Sequence, residues 1–121
     1  MSFCLIKFCH LIHATKYSLM GLIQAFKSEQ SFRHEVIILG ILFFLLWFQD
    51  KNALHCLITI SGWLFVMIIE LLNSAIEKIF DLITTDIKPI VKAGKDMASA
   101  AIFLAIVINI GLWIYLFTLP F

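Results

Sequence analysis

Apolar side chains run along most of this chain and charged residues fall between them in short clusters, so the spacing of the charges is what divides it. Crossing a hydrocarbon core of about 30 Å takes about 20 apolar residues in a helix. From Met97 to Phe121 no charge occurs, which predicts a membrane helix over 97–119. A second uncharged stretch, Asn52 to Ile69, keeps its helical pattern past Glu70 to Asp81, so the helix over 53–81 is expected to project beyond the membrane on one side. The stretch from Val36 to Gln49 is shorter, and by length alone it would suit a re-entrant segment or a buried soluble helix. Phe32 extends its apolar run, Arg33 can snorkel, and Gln49-Asp50-Lys51-Asn52 reads as a polar turn between antiparallel membrane helices, so a span is expected over 32–49.

The segment before these spans is more polar, and Lys16 interrupts its apolar run with no small-x-small site behind it, unlike a cleavable signal peptide. At 100° per residue Phe8, Leu11, Ile12, Leu19, Leu22, Ile23 and Phe26 gather on one face, with His10, His13, Lys16, Tyr17, Gln24 and Lys27 opposite. Residues 1–30 are therefore expected to form an amphipathic helix lying in the membrane surface. In the loop over 82–96, Pro89 should end the second membrane helix before the next begins near Val91.

Composition fixes the solvent. Hydrophobic residues make up 62% of the chain and charged residues 14%, against about 25% charged in soluble domains. A chain of 121 residues with so little polar surface is read as one all-α integral membrane domain, residues 1–121. A net charge of +1 gives no basis for nucleic-acid binding. Residues 1–35 carry Lys7, Lys16, Lys27 and Arg33, the segment over 78–95 carries Lys78, Lys88, Lys92 and Lys95, and the turn near Asp50 has only Lys51. The positive-inside rule then puts the N-terminus and the 82–96 loop in the cytoplasm and the C-terminus outside. Trp47, Trp113 and Tyr115 suit the outer interface, whereas Trp63 falls too deep for it.

Glu70, Asn73, Glu77 and Asp81 recur at three- and four-residue spacing, one stripe on one face of the second membrane helix. Asp81 and Glu77 lie near its cytoplasmic end, but Glu70 sits about 16 Å further in at 1.5 Å per residue. An ionisable group there costs at least about 2.5 kcal/mol, which makes a functional role the default reading. The stripe is also compatible with polar contacts between helices, or with an ion or proton pathway. Glu29 and Glu35 flank Arg33 at the cytoplasmic end of the first span, and Lys95-Asp96 opens the third at the same level. Carboxylates from separate helices converging at one depth suit Mg²⁺ with phosphate oxygens, and nearby lysines suit phosphate.

Glu70-Leu-Leu-Asn73-Ser-Ala-Ile-Glu77-Lys-Ile-Phe-Asp81 resembles the signature of the prokaryotic diacylglycerol kinase family, small membrane lipid kinases. Ser31-Phe32-Arg33-His34-Glu35 and the run from Ala93 to Ala101 resemble its two other blocks, in order and nearly without gaps from about Tyr17 onward. The resemblance implies a homotrimer of three-span subunits with composite sites shared between neighbours, in the bacterial inner membrane. It implies transfer of the ATP γ-phosphoryl group to the primary hydroxyl of a membrane lipid. By the same resemblance Glu70 is the general base, Glu29 and Glu77 hold Mg²⁺, and Tyr17, Glu29, Glu77, Asp86, Ile87, Lys88, Lys95 and Asp96 line the ATP site. Arg33, Glu35, Glu70 and Ser99 match the lipid side, and Asn73 and Asp81 match supporting polar positions. Phosphoryl transfer asks mainly for charge neutralisation and alignment, so the lack of a GxxxxGK[ST] loop is no obstacle.

Gly94, Ala98, Ala101 and Ala105 place small residues along one side of the third helix, read as close packing, and Asn109 is read as an interhelical hydrogen-bonding group. Cys4, Cys9 and Cys56 have no metal-ligand spacing and read as apolar filler, and His10 and His13 as surface residues. Diacylglycerol-phosphorylating members of the family tend to carry basic residues where this chain has His10, His13 and Met20. A related branch phosphorylates undecaprenol, and the acidic stripe alone does not separate the two lipids.

Overall fold

A computed structural model describes residues 3–118. Four helices follow one another: α1 (Phe3–Ser28), α2 (Gln30–Phe48), α3 (Ala53–Ile83) and α4 (Pro89–Thr118). The last three are each long and apolar enough to cross a membrane, and α1 is an additional N-terminal helix. The end expected for the third span, Leu119, lies outside the described residues.

Each break in the chain has a local cause. Glu29 alone separates α1 from α2, with extended backbone (φ −110°, ψ 110°) at the N-cap of α2. The turn between α2 and α3 places Asp50 in the left-handed region at φ 51°, which Asp tolerates better than most side chains. Asn52 then caps α3, its side chain accepting from the His55 N–H at 2.8 Å. At the far end of α3 the Thr84 N–H donates to the Phe80 carbonyl, and the Thr84 hydroxyl accepts from the Asp86 N–H at 3.0 Å. Pro89 opens α4, where a missing N–H is harmless because the first turn has no partner for it. Of the 82–96 segment only 84–88 is non-helical, so Lys92, Lys95 and Asp96 ride on the first turns of α4.

The central helix is α3, which packs against α4 along one side and α2 along another, while α1 meets α2. Polar groups punctuate the α3–α4 seam. His55 Nε2 donates to the Leu116 carbonyl at 2.9 Å and the Trp113 indole to the Thr59 carbonyl at 3.3 Å. One turn on, Gly62 faces the buried Asn109. Of the small residues on α4, Ala98 and Ala105 are buried, Gly94 receives the Phe80 ring, and Ala101 is exposed. Ala25, Phe32, Leu42, Trp63, Val66, Met67 and Ala105 form the core. Most other large apolar side chains face outward, the arrangement of helices whose solvent is hydrocarbon.

Candidate functional site

The acidic stripe lies within the unbroken helix α3, whose C-terminal half approaches α2 and the end of α1. Glu70 on α3 and Glu35 on α2 are both buried, each 8% exposed, and lie within electrostatic reach of one another. Trp63 sets their spacing: its indole N–H donates to the Glu35 carbonyl at 2.9 Å, and its ring lies 5.5 Å from that of Trp113. That bond accounts for a tryptophan too deep for an interfacial belt. Glu35 Oε2 and Asn73 Oδ1 are buried without a hydrogen-bond partner among the described residues. A buried polar atom left without a partner is costly, so each of these positions calls for an explanation beyond packing.

Glu77 and Glu29 also act electrostatically on Glu70, so carboxylates from α3 and the α1–α2 joint converge there. Glu29 is held by Lys78, with Nζ 2.6 Å from Oε1. Beside this pair a groove of about 490 Å³ runs between the end of α1 and α3, walled mainly by apolar residues including Gly21, Leu22, Ala25, Leu71 and Ala75. Arg33 is engaged differently from its neighbours. Its guanidinium donates to the Phe26 and Lys27 carbonyls at 3.1 and 2.9 Å, closing the last turn of α1 and bracing the joint. Tyr17 lies exposed on α1 next to the groove residue Ser18, and Ser99 is exposed on α4.

A second cavity, about 390 Å³, sits at the α3–α4 corner and gathers Asp81, Asp86, Ile87, Lys95 and Asp96 together with Thr84, Thr85 and Lys92. Lys95 pairs with Asp81 at 2.9 Å, and Lys92 with Asp96 at 2.6 Å. Lys88 is next to this cavity in sequence, its N–H donating to the Asp86 carbonyl. Glu70, Glu77, Glu29 and Glu35 thus lie in one neighbourhood and the 86–96 residues in another, whereas the sequence reading sets Lys95 and Asp96 at one level with Glu29 and Glu35. It misses Lys78, Lys92 and Ser74, the last buried at the groove. Lys78 and Glu29 are 49 residues apart, so no helical period could pair them.

Among the described residues no three His, Cys, Asp or Glu side chains form a metal cage. Mg²⁺ does not require one, since it is commonly held by one or two carboxylates with water and phosphate. Glu29, whose carboxylate already takes an ammonium at 2.6 Å, offers a carboxylate of that kind.

Three helices long and apolar enough to span, with an added N-terminal helix and two buried carboxyl groups, define a small multi-pass membrane protein. The profile of the prokaryotic diacylglycerol kinases matches residues 16–117. The diacylglycerol kinase of Haemophilus influenzae is 43% identical over 104 residues, covering 86% of this chain and 88% of the relative. That of Escherichia coli K12 is 35% identical over 106 residues, covering 88% and 87%, and that of Pseudomonas aeruginosa 36% over 103 residues, covering 85% and 84%. The chain belongs to the prokaryotic diacylglycerol kinase family, and with it to a family of membrane lipid kinases.

Proposed function

We propose that this protein is an ATP- and Mg²⁺-dependent kinase that phosphorylates the primary hydroxyl of diacylglycerol to give phosphatidic acid, working at the cytoplasmic face of the inner membrane. The observation that carries the reading is the buried Glu70, with Glu35 beside it and Glu77 and Glu29 in electrostatic reach. The Glu70 carboxylate takes the proton of the lipid hydroxyl as that oxygen attacks the γ-phosphorus. The bond from γ-phosphorus to the bridging oxygen breaks and ADP leaves. Mg²⁺ held by Glu29 and Glu77 would neutralise charge on the phosphate oxygens. Lys95 and Asp96 contact the nucleotide, with Tyr17 and the 86–88 segment around it, and Asn73 and Asp81 support the acids. The apolar groove ending at Glu29 and Lys78 suits a molecule with acyl chains and a polar head. Arg33, Glu35 and Ser99 belong to the lipid side, and the sites are completed by neighbouring subunits of a homotrimer.

All of the relatives named above are diacylglycerol kinases, which favours that lipid over undecaprenol. Purified protein in mixed micelles should phosphorylate diacylglycerol, and equal amounts of both alcohols in competition should show the higher kcat/KM for diacylglycerol. Glu70→Gln should lower turnover by about 10²- to 10⁴-fold, the weight of a general base, while leaving nucleotide affinity within a few-fold. Full turnover by that variant would remove Glu70 from the chemistry. A preference for undecaprenol would move the protein to the other branch.

A further inference from the structure

Lys78 has no task in the lipid-kinase reading, yet it makes the closest contact in the acidic neighbourhood. It follows Glu77 on α3 and reaches across to the α1–α2 joint, with Nζ 2.6 Å from Glu29 Oε1. Glu29 stands at the N-cap of α2, where a carboxylate ordinarily accepts a hydrogen bond from a backbone N–H of the first turn. Here its side chain makes no capping bond and takes the ammonium instead, at the edge of the α1–α3 groove. The lysine side chain is 56% exposed and that of Glu29 24%, so the cation can leave more easily than the acid can move. An ammonium is a compact point charge, able to stand where a hard metal cation would but unable to share the same oxygen with it at close range.

We propose, resting on the lipid-kinase reading, that Lys78 is a positioning residue that competes with the divalent cation for Glu29. It holds the carboxylate in place and balances the acids while no cation is bound, and it is displaced from Glu29 when cation and nucleotide arrive. The pair therefore weakens metal binding to the nucleotide-free protein and leaves a free ammonium beside Glu77 once the metal is in place.

The test is a Mn²⁺ titration followed by electron paramagnetic resonance, on the nucleotide-free full chain in detergent micelles at low salt. Lys78→Met keeps the apolar stem and removes the charge, and should bind Mn²⁺ about three- to five-fold more tightly than wild type, the weight of a partly exposed ion pair. Lys78→Arg should stay within about two-fold of wild type, because the competing charge is retained. In a Glu29→Gln background, Lys78→Met should change nothing. Unchanged or weaker Mn²⁺ binding by Lys78→Met overturns the proposal, as does a tightening that persists without the Glu29 carboxylate. Diacylglycerol phosphorylation by the wild type, measured on the same preparation, separates the two readings. An active wild type with an indifferent Lys78→Met removes only the role of Lys78, whereas an inactive wild type removes the diacylglycerol kinase reading.

Discussion

Burying a carboxyl group in a membrane helix costs at least about 2.5 kcal/mol, and α2 and α3 each bury one within electrostatic reach of the other. Two such acids stay together only if the surrounding residues fix them there. Glu35 is fixed through its own backbone, because its carbonyl accepts the Trp63 indole N–H. Trp63→Phe keeps an aromatic ring but deletes that bond and the larger contact with Trp113. The loss should be about 1–2 kcal/mol in thermal or denaturant unfolding in micelles. It should also lower kcat while leaving the KM for ATP unchanged, since Glu77 lies about four turns further along α3 and the other nucleotide residues lie on other elements. A variant with wild-type stability and kcat would show that the indole does not position the acids. The position of Trp63, too deep for an interfacial anchor, was the one visible signal in the sequence that this residue does something else. Its partner, a main-chain carbonyl on another helix, leaves no mark in sequence.

Between elements, glycines let α3 and α4 approach closely. A Cβ built on Gly62 would lie 2.5 Å from Asn109 Oδ1 and 3.0 Å from a Leu112 methyl, so the glycine makes room for a buried amide and a leucine. Gly62→Val should destabilise the chain by about 1–3 kcal/mol through overpacking. Adding Asn109→Ala should return a substantial part of that loss, because the two sites are in contact and their effects are not additive. Unfolding titrations of both single variants and the double variant check this, and strict additivity would count against the contact. At the other boundary, Asn52→Ala removes the bond to the His55 N–H and should cost about 1 kcal/mol in the same assay. Helix existence was legible from charge spacing, and the two turns from Asp50-Lys51-Asn52 and Pro89. The seam was only half legible: Ala98 and Ala105 are buried as a small-residue stripe suggests, but Ala101 is exposed. Helical period gives a face, and which neighbour covers it depends on residues such as Trp113 and His55 that lie far along the chain.

At the scale of the whole molecule, the scarce charge sorts into two groups on different elements. Glu70, Glu77 and Glu29 gather with Lys78 where α3 meets the α1–α2 joint, whereas Lys95, Asp96 and Asp86 gather at the α3–α4 corner. Within one chain Lys95 is paired with Asp81 and Asp96 with Lys92, so neither is committed to Glu70. This is the division expected if each site takes its acids from one subunit and its nucleotide-binding Lys and Asp from the next, as the proposed homotrimer requires. A shared site makes a prediction that an isolated one does not. Glu70→Gln and Lys95→Ala should each be inactive alone, yet mixing the two, unfolded and refolded together in lipid, should restore activity. With random assembly of equal amounts, about one subunit junction in four carries an intact Glu70 facing an intact Lys95, so about a quarter of wild-type activity should return. If each chain held a complete site, every site in the mixture would carry one lesion and the mixture would stay as inactive as its parts.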